Sequence, residues 1–362
     1  MSARALAIPA PGEVALLDVT LPAVTDGHFR VRTRWSGVSA GTELSFLKGT
    51  NPFLHAGWDA QLGVFRQDRP AVTYPVTRLG YMEVGRVEES RTLGVEEGAL
   101  VAMAYGHRDE HVADAARERW IVLPDGLDPL LGIFVTHMGP ICANGLLHAA
   151  AEATRGDVRR LGDGVQGLRV VVFGAGTVGL LLALLALQHG ADEVAVVDRS
   201  PARLAAARAL GCWDIDEADG PPWLTVKERW RTGAGHRGAD VVFQCRGRAE
   251  ALAEALRCLR PQGSVIDLAF YPGGAPELRL GEEFHHNGLA IRCAQIGRVP
   301  RGLDHAWDRE RLSRETLALL AARGDAIRRH VVTDVVPFDQ GPVLLHDIAR
   351  RRRHVIQAVL AC

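Results

Sequence analysis

Lysine is almost missing from this chain. Lys48 and Lys227 are the only two among 42 basic residues, and the rest are arginines scattered along the sequence. With 43 acidic residues against them the formal charge is −1, so no basic stripe exists to carry nucleic acid or an anionic membrane surface. Cysteine is sparse too. Cys142, Cys212, Cys245, Cys258, Cys293 and Cys362 form no CxxC pair. The first residues show no secretory leader, so free thiols in a reducing cytoplasm are expected. No apolar run approaches the ~20 residues that span a bilayer. The longest, Val178–Leu187, fits a buried helix better, and repeats and low-complexity tracts are lacking. What remains is 47% hydrophobic and 23% charged, the balance of a globular chain of two or three domains.

One stretch organises the rest. Val170–Phe173 is an apolar run that turns through Gly174, Ala175, Gly176, Thr177, Val178 and Gly179 into a second apolar run. Strand, glycine turn and helix in this order suit a dinucleotide. The three glycines make the turn, let backbone approach a pyrophosphate, and let the helix pack on the strand. A helix N-terminus then offers N–H groups and a positive dipole end to the phosphates. A second strand, Glu193–Val197, ends in Asp198, close to the ~20-residue spacing at which an acid receives the adenosine ribose hydroxyls. Asp198 repels a 2′-phosphate and so favours NAD, while Arg199 beside it leaves room for NADP.

Around this core the chain divides in three. Residues 1–148 carry short strand signals (14–19, 29–35, 79–87, 99–104, 120–123) between turns, as in a small β-barrel. The irregular stretch 51–73, with Phe53, Trp58 and Phe65, is either a lid or a surface insertion. Residues 149–297 alternate strands and helices, the pattern of a doubly wound parallel sheet. Residues 298–362 return to β segments that rejoin the first domain.

Several stretches together resemble the medium-chain dehydrogenase/reductase superfamily, the fold of alcohol, sorbitol and threonine dehydrogenases. They are Ser36-Gly37-Val38-Ser39-Ala40-Gly41-Thr42-Glu43, Gly80-Tyr81-Met82-Glu83-Val84-Gly85, Leu123–Asp128, the glycine turn, and Asp240–Cys245. The resemblance implies a GroES-like β-barrel catalytic domain (1–148), a Rossmann NAD(P)-binding domain (149–297) and a C-terminal return to the first (298–362). It also implies hydride transfer between nicotinamide and a secondary alcohol or ketone, and a homodimer through the strand near Ala290–Ile296. Zinc members have a Cys-Gly-Thr-Asp stretch and a Gly-His-Glu stretch. Here these read Ala40-Gly41-Thr42-Glu43 and Gly80-Tyr81-Met82, and the four-cysteine lobe is missing, so a zinc-independent member is expected. Reduction of activated C=C bonds, as by zinc-free relatives, and a catalytically silent dinucleotide-binding protein are the alternatives.

The same comparison suggests roles for other residues. Arg203 stands where the family has a basic residue at the adenosine ribose, Cys245 and Arg246 where it packs adenine and ribose, and Phe270 and Gln295 near the nicotinamide. Asn144 points to the nicotinamide amide or the substrate. His137 either faces the site or packs in the core. Without zinc, an acid/base must handle the hydroxyl proton, which makes His137 the base, Tyr81 the orienting donor that also touches substrate, and Glu43 their partner. His107 and His111, spaced i, i+4, lie on a strand approach where they do not converge on a metal.

Overall fold

A computed structural model describes residues 2–154, 157–271 and 273–362. The chain forms two compact units, one running to His137 and resuming at Val332–Cys362, the other spanning Met138–Val331.

The first unit is built on the strand His28–Gly37, whose alternation buries Phe29, Val31 and Thr33 while Arg30 and Arg32 face outward. Three strands pair with it antiparallel: Glu83–Ser90, Glu110–Asp114 and, at its far end, Gln357–Ala361. Irregular register at Arg30/Val31 and Thr33/Trp35 bends the strand enough to serve all three. A Cβ on Gly85 would lie 2.1 Å from Val31 Cγ1, so glycine permits the close crossing. The sheet runs Val332–Pro337, Gln357–Ala361, His28–Gly37, Glu83–Ser90, Leu100–Met103, Ile121–Val122, which is the GroES-like barrel. The strand expected at 79–87 occupies Glu83–Ser90 instead, since Gly80 adopts φ +92° and turns the chain ahead of it. The stretch 51–73 contains a short hairpin, Gly57–Asp59 with Val64–Arg66, carrying Trp58 and Phe65 in edge contact at 5.3 Å.

The second unit is a parallel sheet of β1 (Arg169–Phe173), β2 (Glu193–Asp198), β3 (Trp213–Asp216), β4 (Ala239–Gln244), β5 (Leu259–Asp267) and β6 (Ala290–Cys293). Its spatial order, β3-β2-β1-β4-β5-β6, is that of the Rossmann fold. Val170–Phe173 are fully buried, as strands covered on both faces must be. Three helices matter below: α1 (Met138–Thr154), α2 (Thr177–Gln188) and α3 (Arg309–His330). Residues Leu180–Ala186 of α2 are apolar all round and buried, so the helix lies inside the unit. The unit boundaries fall at 137 and 331, where the sequence suggested 148 and 297. The reason is α1, which packs on α3 so closely that a Cβ on Gly139 would meet the Thr316 side chain at 2.1 Å. Both helices therefore belong to the second unit. No helix among the described residues is long and apolar enough to cross a membrane.

Candidate active site and dinucleotide site

In the second unit the glycine turn has the geometry a dinucleotide needs. Gly174 sits at φ +103°, reachable without strain only by glycine, and its N–H donates to Val197 O at 2.8 Å. Gly176 caps α2, and a Cβ there would meet nothing within 4 Å, so its outer face is open. At Gly179 a Cβ would lie 1.8 Å from Gly174 O, which locks helix to turn. Asp198, 7% exposed, accepts from Ala175 N at 2.8 Å through Oδ2, and through Oδ1 from Arg199 N at 2.8 Å and Ser200 N at 2.9 Å. The carboxylate thus ties the turn to the end of β2 and keeps lone-pair capacity for ribose hydroxyls. Ala175 spends its N–H on Asp198 rather than presenting it outward.

The other expected cofactor residues follow strand ends. Cys245 N bonds Phe173 O at 3.0 Å, which places Cys245 and Arg246 directly after β4. Arg246 lies against Gly174, since a Cβ on that glycine would meet Arg246 Cγ at 2.8 Å. Phe270 follows β5 and is 55% exposed. Gln295 follows β6 and turns its Oε1 back onto Gly297 N at 2.6 Å. Arg203 lies in the first turn of the helix Pro201–Ala209 after β2. Asn144 departs from its expected role. It is fully buried, and its amide N–H groups reach the carbonyls of Ala294, Gln295 and Arg298 at 3.2–3.4 Å. Asn144 therefore holds the segment after β6 in place and presents no face to a substrate.

The three expected catalytic residues meet in the first unit. Glu43, 1% exposed in the helix Ala40–Leu47, accepts Ser39 N–H at 2.6 Å through Oε1. Ser39 Oγ hydrogen-bonds the Tyr81 hydroxyl, and either oxygen can donate. The Tyr81 ring lies 4.5 Å from the His137 ring, tilted by 52°. The backbone before His137 is pinned, because Thr136 Oγ1 donates to Met103 O at 2.9 Å and Thr136 O accepts from Arg119 at 2.8 Å. Glu43, Ser39, Tyr81 and His137 thus form one contact series, with Tyr81 and His137 half-buried at its outer end.

Behind the series lies a buried cluster that the sequence did not disclose. His107 Nε2 is 3.1 Å from Glu43 Oε1, a charge contact, and Nδ1 is 2.6 Å from Ser36 Oγ, which in turn donates to Glu83 Oε1 at 3.0 Å. Gly80 makes room, for a Cβ there would strike the His107 ring at 2.6 Å. Burial by itself would push the His107 imidazole down, but Glu43 and then Glu83 more than offset it and hold it above its ordinary value. Burial likewise pushes the Glu83 carboxyl up, against the pull of His107. His111 points elsewhere: it stacks on Tyr105 at 4.5 Å and meets Glu118 at 2.8 Å. Among the described residues no cluster of three or more His, Cys, Asp or Glu side chains is arranged to hold a metal. The raised His107 value has a definite sign. Its stabilisation is complete below the unfolded value of 6.5 and is lost as pH rises through the higher native value. The urea midpoint is therefore expected to fall as pH rises from 6.5 through the native value and to level off above it, and His107→Gln is expected to flatten that slope. Parallel profiles for the two proteins would refute the assignment.

Comparisons with known proteins agree with this fold. The zinc-binding dehydrogenase family profile matches residues 177–308. D-guloside 3-dehydrogenase of Shigella flexneri is 28% identical over 94% of each chain. The D-xylulose reductase of Saccharomyces cerevisiae is 35% identical over 28% of this chain and 29% of its own. An NADP-bound protein of the zinc-binding dehydrogenase type from Sinorhizobium meliloti 1021 superposes with a TM-score of 0.74 over 100% of both chains at 18% identity. In its profile match, its full-length relatives and its fold the chain is similar to the medium-chain dehydrogenase/reductase superfamily. It is an NAD(P)-dependent dehydrogenase/reductase, similar to alcohol dehydrogenases.

Proposed function

We propose that the protein transfers hydride between NAD(H) and a polyhydroxylated secondary alcohol or its ketone, without catalytic zinc. The contact series Glu43–Ser39–Tyr81–His137 supports this reading, because it gathers acid/base and hydrogen-bonding groups around Tyr81, which stands where zinc members carry a histidine. The substrate class follows relatives named for D-guloside and D-xylulose. The zinc-binding family profile matches only residues 177–308, a span that excludes Ala40, Tyr81 and Met82.

Those three positions fit zinc poorly. Ala40 has no donor atom, Tyr81 is bonded to Ser39, and Met82 is fully buried, with Gly37 packed on its side chain. A nicotinamide dinucleotide fits the second unit: Gly174, Gly176 and Gly179 would take the pyrophosphate, and Asp198 the adenosine ribose. When bound, such a dinucleotide would supply the acceptor for the hydride that leaves the carbinol carbon. His137 takes the hydroxyl proton as the carbonyl forms, and Tyr81 donates a hydrogen bond to the same oxygen. In the reverse direction His137 returns the proton. Glu43 acts through Ser39, fixing the partner of the Tyr81 hydroxyl.

Elemental analysis of active protein is expected to find zinc well below one atom per chain, with activity on a polyol panel surviving chelation. One zinc per chain, lost together with that activity, would overturn the zinc-free reading.

A further inference from the structure

Asp198 disfavours a 2′-phosphate by charge, and the structure shows a second device beside it. β3 runs parallel to β2 with Asp216 opposite Asp198, so the next residue, Glu217, emerges beside the ribose acid. Its own N–H donates to Asp198 O at 3.2 Å. One Glu217 oxygen, Oε2, accepts from Arg199 Nε at 2.8 Å and from Arg246 Nη1 at 2.6 Å. The two cations come from different strand ends, Arg199 from β2 and Arg246 from β4. In the order β3-β2-β1-β4 the Glu217–Arg246 pair therefore reaches across the ends of β2 and β1, beside the glycine turn.

Exposure distinguishes the members. The side chains of Glu217 and Arg246 are 11% and 16% exposed, whereas Arg199 is 59% exposed. The inner pair is partly desolvated and held, and the outer arginine is tethered to it. Two carboxylates, Asp198 and Glu217, balance two guanidiniums, so the group as built is neutral. NAD brings a ribose hydroxyl to the end of β2, whereas NADP brings a phosphate dianion there. A phosphate is recognised best by a guanidinium with its N–H fork free, bidentate if possible.

We propose that Glu217 is a cofactor-discriminating residue, which occupies Arg199 and Arg246 and so withholds them from the 2′-phosphate of NADP(H). Asp198 repels the phosphate, and Glu217 removes the cations that would offset that repulsion. The proposal rests on the NAD(H) reading given above, and the experiment separates the two.

Direct binding of NADH and NADPH to the full chain without substrate, followed by coenzyme fluorescence, is the measurement. Glu217→Gln keeps the shape and removes the charge. It is expected to tighten NADPH roughly tenfold, the size of one charge-assisted hydrogen bond gained, with NADH changed less than about threefold. Adding Arg199→Gln to Glu217→Gln is expected to cancel at least part of that gain. In the otherwise unchanged protein, Arg199→Gln is expected to leave NADPH affinity within about twofold, because Glu217 already holds that guanidinium. This single variant still tests the proposal if Glu217→Gln does not fold. An NADPH-to-NADH ratio unmoved by Glu217→Gln overturns the proposal, as does a tenfold loss of NADPH affinity in Arg199→Gln alone. A parent protein that binds NADPH more tightly than NADH overturns the NAD(H) reading instead, whatever the variants do.

Discussion

Replacing His137 with alanine is expected to lower kcat at least tenfold while NADH affinity stays unchanged. Oxidation of an alcohol removes a hydride from carbon and a proton from oxygen together, and a metal-free site needs a group to take that proton. A positioned acid/base is worth about 10²–10⁴-fold in rate. His137 has the right chemistry, since imidazole titrates near neutrality and can both take and return the proton. It also has the right neighbours: its ring lies 4.5 Å from that of Tyr81, and the residue before it is held by Met103 and Arg119. Tyr81→Phe removes the donor and leaves the ring contact. It should also lower turnover at least tenfold, with the larger effect in the direction of carbonyl reduction. NADH titration serves as the control, because both residues lie in the first unit and the glycine turn lies in the second. Full turnover by His137→Ala between pH 6 and 9 would remove the base assignment and leave both rings as packing groups.

Gly179→Ala should weaken dinucleotide binding roughly 100-fold and also lower the melting temperature, since forcing a side chain into a packed site costs about 1–3 kcal/mol or more. A Cβ at that position would sit 1.8 Å from Gly174 O, so either the helix or the turn has to move. Gly176→Ala provides the contrast. Its backbone, at φ −84°, tolerates a side chain, and a Cβ there would meet no protein atom within 4 Å. That variant should fold with an unchanged melting temperature and still lose affinity, because the methyl occupies the space the pyrophosphate needs. Unchanged NADH affinity in Gly176→Ala would show that the phosphates bind elsewhere.

Legibility in the sequence followed locality. The glycine turn, α2 and Asp198 lie within one βαβ stretch, and hydropathy together with spacing was enough to read them. Tyr81 and Glu43 could be singled out because each stands in a contiguous stretch whose family counterpart is known. The His107 cluster was hidden because it draws on Ser36, Glu43, Glu83 and His107, which meet only after the barrel strands have paired. His107 and His111 looked like one pair, yet one faces the buried carboxylates and the other Tyr105. Glu217 escaped notice for a related reason. Nothing near it in the chain marks it, and its significance comes from reaching an arginine two strands beyond its neighbour. Asn144 was expected at the ligand from its place on the helix after His137, whereas its amide reaches three carbonyls after β6.

The pairing of Gln357–Ala361 with His28–Gly37 also orders events during synthesis on the ribosome. The second unit is continuous in sequence, so all its strands are available once Val331 has emerged. The first unit is not. Until its last strand arrives, Trp35, Ser36 and Gly37 lack the backbone partners that Ala361, Leu360 and Val359 supply. Gln357 then adds a further tie, its side-chain amide donating to Val38 O at 3.0 Å. The segment that leads into Ser39 and the Ala40–Leu47 helix is thus translated long before the strand that encloses it. Because closing a long loop costs entropy that grows only slowly with its length, this delay is a matter of timing more than of stability.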